Sequence, residues 1–201
     1  MSQAALPLAW PDADHPFVLA PSNAAAVRLL ERPAAWPVAA ALLVGPRKSG
    51  RSLLARHFAR RTGGRVLDDA ERQEERTLFD AWNDAQATRR PLLIVADAPP
   101  PEWPIRLPDL RSRLAATPLA RIEPPDDSLV RQLIPALLDR RGLVAPPEVV
   151  AYLSPRAPRT HHRLLALVDA LDTVSLAKRR PLTVPLAREA LQLVDAVRPS
   201  D

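Results

Sequence analysis

The chain of 201 residues is 47% hydrophobic and 25% charged, a composition typical of a globular protein with a buried core. The absence of cysteine excludes disulfides and cysteine-ligated zinc or iron–sulfur sites. No apolar run reaches the roughly 18 residues of a membrane span and no secretory leader begins the chain, so we expect a cytoplasmic protein without membrane contact. Acidic residues are interspersed with the basic ones that give the net charge of +5, which favours a solvated surface over a dedicated DNA-binding patch.

Residues 1–16 are predicted to form an extended, flexible tail. Prolines and the lack of a sustained hydrophobic period argue against a helix or a strand in this segment. Its apolar residues have no core of their own, so they either fold back on a domain or are offered to a partner as an extended peptide. The residues with this pattern are Gln3, Leu6, Pro7 and Leu8.

Residues 17–124 are predicted to form a core of alternating strands and helices. Continuous apolar runs at 38–44 and 91–96 have the composition of buried strands, and shorter runs occur at 65–67 and 119–122. Strands that alternate with helices indicate a parallel sheet with helices on both faces, and such sheets bind ligands at the carboxyl ends of their strands. The predicted helices lie at 24–30, 53–61, around 78–82 and at 107–114.

The segment after the first strand has the Gly-x-x-x-x-Gly-[basic]-Ser spacing of a phosphate-binding loop, or P-loop. Glycines at this spacing let backbone N–H groups close around phosphate oxygens at the positive end of the next helix. Arg51 replaces the usual lysine, and its guanidinium is a planar fork rather than a compact charge. A strand–turn–helix with an incidental glycine pattern is the alternative. The predicted nucleotide-binding residues are Gly45, Pro46, Arg47, Lys48, Ser49, Gly50, Arg51, Ser52 and Leu53.

Three carboxylates follow predicted strands, namely Asp68, Asp69 and Asp97. A P-loop needs a magnesium-coordinating acid on a neighbouring strand, and Asp68, with Asp69 as its partner, is placed for that role. Ser52 and Asp68 would then hold any Mg²⁺ that accompanies the nucleotide. Asp97 is available as the polar group that hydrolysis requires. Because acids at strand ends also cap helices, capping is the alternative for each of them.

Residues 125–201 are predicted to form a small all-helical domain that lacks strands. Gly142 and several turn sequences separate helices expected at 126–141, 147–153, 160–173 and 185–197. Adjacent residues on a helix diverge by about 100°, so His161 and His162 are not expected to share a metal ion.

Four segments resemble the Hda and DnaA-homologous AAA+ family of bacterial replication proteins. They are the tail pattern at 3–8, the Gly-Arg-Ser form of the P-loop, the run 107–114 and the run 182–185. The resemblance implies a P-loop AAA+ parallel sheet followed by a small helical lid domain. It implies that ADP or ATP binds at the P-loop and that the tail binds the sliding clamp of the replicative polymerase. Arginine at the position of Arg51 also occurs in this family.

The same resemblance assigns roles to residues outside the P-loop. Asp68 and Asp69 match the Walker B acids, Asp97 matches sensor 1, and Arg113 matches an arginine finger that reaches a nucleotide on a neighbouring subunit. The residues that correspond to sensor 2 are His162, where the family has arginine, with Arg159 and Arg163 nearby. Only residues 62–65 separate the P-loop helix from Walker B, so one edge strand of the family's sheet is expected to be missing. A surface arginine in a helix is the alternative for Arg113.

The function implied is regulation of bacterial chromosome replication initiation. The protein would bind nucleotide and the clamp, contact DNA indirectly, and promote hydrolysis of ATP on DnaA to prevent re-initiation. Two other functions are open: an autonomous AAA+ ATPase such as a helicase loader, and a nucleotide-free module that binds the clamp or DnaA. Formation of a homodimer is also open.

Overall fold

The computed structural model describes residues 17–196, which divide into two compact units. One unit contains Phe17 and Ser22–Glu123, and it carries all the strands. The other contains Val18–Pro21 and residues from Pro124 onward, and its main part is helical. No helix between residues 17 and 196 combines the length and apolar character needed to cross a membrane.

Four parallel strands form the sheet, in the spatial order β2-β3-β1-β4. They are β1 (Ala40–Val44), β2 (Arg65–Leu67), β3 (Leu92–Ala96) and β4 (Leu119–Arg121). Every residue of β1 and β3 is buried, as continuous apolar runs predict for central parallel strands. Leu43 pairs with Val95 on one side and with Ala120 on the other. The predicted parallel sheet is therefore confirmed.

Strand β2 is an edge of this sheet, since within residues 17–196 only β3 pairs with it. The short connection at 62–65 leaves no room for a further strand and helix, as the sequence predicts. Strand β1 begins at Ala40 rather than at residue 38, because the backbone N–H of Ala39 donates to the side-chain oxygen of Gln86 at 2.9 Å and not to a strand.

Four helices lie before and between the strands in the chain: α1 (Pro21–Glu31), α2 (Arg51–Thr62), α3 (Glu75–Thr88) and α4 (Pro108–Ala115). Helix α2 ends at Gly63, whose φ of +65° is the left-handed conformation that favours glycine at a helix end. The core on one face of the sheet combines Leu42 and Ile94 of the strands with Leu78 of α3 and Leu110 of α4. This packing fixes α3 and α4 beside each other.

The helical unit contains α5 (Asp127–Asp139), α6 (Pro147–Leu153), α7 (His161–Lys178) and α8 (Val184–Ala196). Asp126 caps α5, since its carboxylate accepts the N–H of Leu129 at 2.8 Å. Helix α7 runs past the predicted end at residue 173, because Val174 and Ser175 are still buried. The core of this unit includes Val130, Ile134, Leu138, Leu164, Leu167, Leu171, Ala187 and Ala190.

Candidate functional site

The P-loop connects β1 to α2 through a turn that requires glycine at both of its ends. A Cβ at Gly45 would lie 2.9 Å from both the Cβ and the backbone oxygen of Ile122. Gly50 has a φ of +92°, and a Cβ there would lie 3.3 Å from the ring of Phe17. Lys48 also has a positive φ, +66°, in this turn. The predicted strand–loop–helix geometry is therefore present.

The loop presents polar groups at the start of α2. Pro46, Arg47 and Lys48 are exposed, whereas Ser49 is buried and its hydroxyl has no hydrogen-bond partner among the described residues. The first turn of an α-helix leaves backbone N–H groups without intrahelical partners, and these groups bind phosphate well. The loop thus offers the donors that a nucleotide phosphate needs.

Arg51 forms an ion pair with Asp97. The Arg51 side chain is only 12% exposed, and Asp97 directly follows β3, the strand next to β1. The structure therefore brings together the residue in the lysine position of the P-loop and the residue predicted as sensor 1. In this arrangement the charge of Arg51 is already compensated by a carboxylate of its own chain.

Ser52 and Asp68 also lie together, with the hydroxyl of Ser52 at 3.3 Å from a carboxylate oxygen of Asp68. The prediction that Asp68 follows a strand neighbouring β1 is wrong, because β3 lies between β1 and β2. The side chains meet across that strand nonetheless. Asp69 is exposed, and its N–H donates to the carboxylate of Asp68 at 3.0 Å.

The Ser52–Asp68 pair suits Mg²⁺, which commonly takes one or two protein oxygens and completes its octahedron with water and phosphate oxygens. Between residues 17 and 196, no group of three or more histidine, aspartate or glutamate side chains could hold a metal ion without further ligands. Ser52 and Asp68 could hold such an ion only together with the phosphates of a nucleotide.

The residues predicted around sensor 2 lie in the helical unit. Arg159 pairs with Asp127 at 2.6 Å, and Arg163 pairs with Asp195 at 2.8 Å. His162 is exposed in the first turn of α7. The two arginines are thus each engaged by a carboxylate of the same unit.

Sequence reasoning did not single out His161 as a buried group. Its side chain lies inside the helical unit, and neither ring nitrogen has a hydrogen-bond partner in the part of the chain that the structure describes. Burial disfavours the charged imidazolium and lowers the pKa of His161 from 6.5 to about 4. The adjacent His162 is exposed, so the two rings occupy different surroundings, as their divergence along a helix predicts.

Arg113 lies in the last turn of α4, and its guanidinium packs on two aromatic rings of α3. The guanidinium carbon is 4.3 Å from the ring centre of Phe79 and 4.9 Å from that of Trp82. One guanidinium nitrogen, Nη1, is buried and has no hydrogen-bond partner among residues 17–196. Sequence reasoning predicted the helix around residues 78–82 but missed the contact of its two aromatic rings with Arg113.

Glu75 at the start of α3 holds the segment that leads into α4. Its two carboxylate oxygens accept the backbone N–H groups of Arg106 and Leu107, each at 2.8 Å. These hydrogen bonds, that of Arg106 first, hold the pKa of Glu75 below its ordinary value. The position of α4 is thus fixed by polar contacts as well as by the core.

The tail residues Gln3, Leu6, Pro7 and Leu8 lie outside the described residues, so the predicted clamp contact has no structural counterpart here.

Two kinds of comparison bear on identity. Residues 129–191 match the family model of the Hda lid domain. The whole fold is similar to domain III of the replication initiation protein DnaA from Thermotoga maritima, with a TM-score of 0.70, 17% identity, and coverage of 91% of this chain and 95% of that chain.

Two further solved structures are similar in fold. AMPPCP-bound DnaA from Aquifex aeolicus matches with a TM-score of 0.64 and 15% identity over 89% of this chain and 68% of that chain. The Holliday junction branch migration motor RuvB of Thermotoga maritima matches with a TM-score of 0.56 and 11% identity over 86% of this chain and 66% of that chain. The predicted resemblance to the Hda and DnaA-homologous AAA+ family is confirmed by the lid-domain match and by the similarity in fold to DnaA domain III.

Proposed function

We propose that this chain, which combines an Hda-type lid with the AAA+ fold of DnaA domain III, promotes hydrolysis of ATP bound to DnaA and thereby limits re-initiation of chromosome replication. The observation that carries the proposal is the environment of Arg113. Its guanidinium rests on aromatic rings, and it forms no ion pair with a carboxylate among the described residues. An arginine supplied in trans to a bound nucleotide stabilises the charge that develops on the transferred phosphoryl group, by about a thousandfold or more in rate.

The P-loop of this chain would hold ADP or ATP. Support comes from the glycine-dependent turn at Gly45 and Gly50 and from the helix start beside it. Ser52 and Asp68 would hold Mg²⁺, which neutralises phosphate charge when bound. Because Asp97 already compensates the charge of Arg51, that arginine would do little to stabilise the charge that develops during phosphoryl transfer, so turnover at this site would be slow.

Clamp binding is the second part of the proposal. The tail residues Gln3, Leu6, Pro7 and Leu8 would dock on a sliding clamp loaded on DNA, so that the protein meets DNA only indirectly. This placement would confine its action on DnaA to replicating chromosomes in the cytoplasm. Its support is the resemblance of the tail pattern to the clamp-binding tails of the family.

The proposal is tested by following ATP hydrolysis on purified DnaA in the presence of DNA-loaded clamp. Addition of the wild-type protein is expected to accelerate hydrolysis, and both Arg113→Ala and Gln3→Ala are expected to abolish most of the acceleration. Arg111→Ala is the matched control, because Arg111 is an exposed arginine of the same helix. Equal acceleration by the Arg113→Ala protein and the wild type would overturn the mechanism.

An autonomous ATPase is the second candidate, and the Ser52–Asp68 contact is the observation that favours it. Steady turnover of ATP by the isolated protein, abolished by Asp68→Asn, would promote this function over the first. If ATP turnover by the isolated protein is negligible beside the clamp-dependent reaction on DnaA, the first proposed function stands.

A further inference from the structure

We infer that Phe79 and Trp82 are positioning residues for Arg113, and that with Thr117 they form a seat that aims its guanidinium at the partner's nucleotide. This inference rests on the proposed function, because it assigns a role to residues that act through Arg113. We refer to Phe79, Trp82 and Thr117 as the arginine seat.

The two rings hold the side-chain end of Arg113. Phe79 and Trp82 are three residues apart on α3 and therefore project from the same side of the helix. Both ring centres lie within 5 Å of the guanidinium carbon, at 4.3 Å and 4.9 Å, which is the range of cation–π attraction. The planar guanidinium is thus confined by aromatic faces, which attract its charge without compensating it as a carboxylate would.

Thr117 links the same tryptophan to the backbone of Arg113. The indole N–H of Trp82 donates to the hydroxyl oxygen of Thr117 at 3.2 Å, and that hydroxyl donates to the backbone oxygen of Arg113 at 2.8 Å. Thr117 is only 6% exposed, so water competes little for these bonds. Trp82 therefore fixes both ends of Arg113, its backbone through Thr117 and its guanidinium through the ring.

The other end of α4 is fixed from α3 as well. Glu75 accepts the N–H groups of Arg106 and Leu107 just before α4 begins. Helix α3 thus holds both ends of α4 by hydrogen bonds, and Leu78 of α3 and Leu110 of α4 belong to the same apolar core. Such double attachment leaves little freedom for the helix that carries Arg113.

The arginine seat leaves hydrogen-bond donors of the Arg113 guanidinium without partners in the described range. Arg113 is only half-buried, and its guanidinium makes no hydrogen bond to another residue in the described range, although Nη1 itself is buried. The other guanidinium nitrogens therefore retain donor capacity that an anion could use. An arginine side chain loses considerable rotational freedom when it is fixed. A seat that restricts the side chain before the partner arrives removes that cost from the catalytic step and presents a preorganised charge.

The chain offers a matched control for this inference. Arg156 of the helical unit packs over the ring of Tyr152, with its guanidinium carbon 4.4 Å from the ring centre. The corresponding distances from Arg113 to the two rings of the arginine seat are 4.3 Å and 4.9 Å. Tyr152→Leu removes an arginine–aromatic pair of the same kind at a different place. Any general effect of such a loss on solubility or folding should therefore appear in the control as well.

The test separates rate from affinity. In single-turnover hydrolysis of ATP on DnaA, with loaded clamp, the Phe79→Leu/Trp82→Leu double variant is expected to lower the maximal rate about tenfold or more. The concentration for half-maximal effect should stay within about twofold, since the rings act on Arg113 and not on docking. Trp82→Phe, which keeps a ring but loses the indole N–H, should retain more of the rate than Trp82→Leu, and Tyr152→Leu should match the wild type.

A spectroscopic readout tests the seat without DnaA. In the wild-type protein, ring currents should displace the side-chain NMR signals of Arg113, and the double variant should return them towards their unperturbed positions. Undisplaced signals in the wild type would overturn the seat. An unchanged or increased maximal rate in a folded double variant would overturn the positioning role. Failure of the wild type to stimulate DnaA would overturn the proposed function and the positioning role together, while the NMR result would still decide whether the rings hold Arg113.

Discussion

The two arginines on which the account depends, Arg51 and Arg113, lie in opposite surroundings within the sheet unit. Arg51 sits at the strand ends, largely buried, and is paired with the carboxylate of Asp97. Arg113 lies on aromatic rings, and one of its buried nitrogens has no partner in the described part of the chain. A paired charge contributes to its own site, whereas an uncompensated charge in a fixed position is suited to an anion from another molecule. The same residue type thus serves two tasks because of its neighbours.

On the P-loop side of this comparison, replacement of Gly45 should reduce nucleotide binding most. Replacement by alanine would place a Cβ 2.9 Å from the backbone oxygen of Ile122, so the loop must shift. We expect the affinity for ADP to fall about 100-fold, equivalent to about 3 kcal/mol, as measured by calorimetry.

Gly63→Ala is the matched control for that change. Gly63 also has a positive φ, but a Cβ there would meet nothing within 4 Å. Gly63→Ala should lower the free energy of unfolding by about 1 kcal/mol and leave the affinity for ADP unchanged. Equal ADP affinity of Gly45→Ala and wild type would contradict the assignment of this turn as the phosphate site.

His161 resembles Arg113 in having buried side-chain nitrogen without a hydrogen-bond partner among the described residues. Unlike arginine, histidine can lose its charge within the ordinary pH range. Its pKa of about 4 in the folded chain lies below the ordinary 6.5, so between these values only the unfolded chain takes up the proton. The free energy of unfolding should therefore fall by roughly 3 kcal/mol as the pH drops from 6.5 to 4. Urea denaturation at several pH values measures this loss.

Two variants isolate the contribution of His161. His161→Leu should remove this part of the pH dependence, whereas His162→Leu, at an exposed neighbouring position, should keep it. If the free energy of unfolding of both variants fell with pH as steeply as that of the wild type, burial of the neutral imidazole of His161 would not be the cause of the pH dependence.

Asp97→Asn tests whether the ion pair restrains Arg51. The substitution keeps the size of the side chain and removes the charge that compensates the guanidinium. Nucleotide phosphates would then meet an uncompensated arginine, and ADP should bind about tenfold more tightly, or about 1.4 kcal/mol. Weaker binding of ADP would instead indicate that Asp97 contributes directly to the nucleotide site.

The sequence predicted local features well and long-range contacts poorly. The continuous apolar runs predicted the buried strands β1 and β3, and the glycine spacing predicted the turn before α2. The order of strands placed β3 between β1 and the strand before Asp68, which no local pattern indicates. The Arg51–Asp97 pair and the seat around Arg113 join residues far apart in the chain, so they emerge only from packing.

The most direct test of the account measures ATP hydrolysis on DnaA in a single turnover at saturating amounts of this protein. The account predicts that Arg113→Ala docks normally but loses most of the acceleration, by about a thousandfold at the scale of an arginine supplied in trans. Docking is checked independently by the concentration that gives half-maximal binding. Hydrolysis at the wild-type rate by DnaA saturated with the Arg113→Ala protein would contradict the central claim.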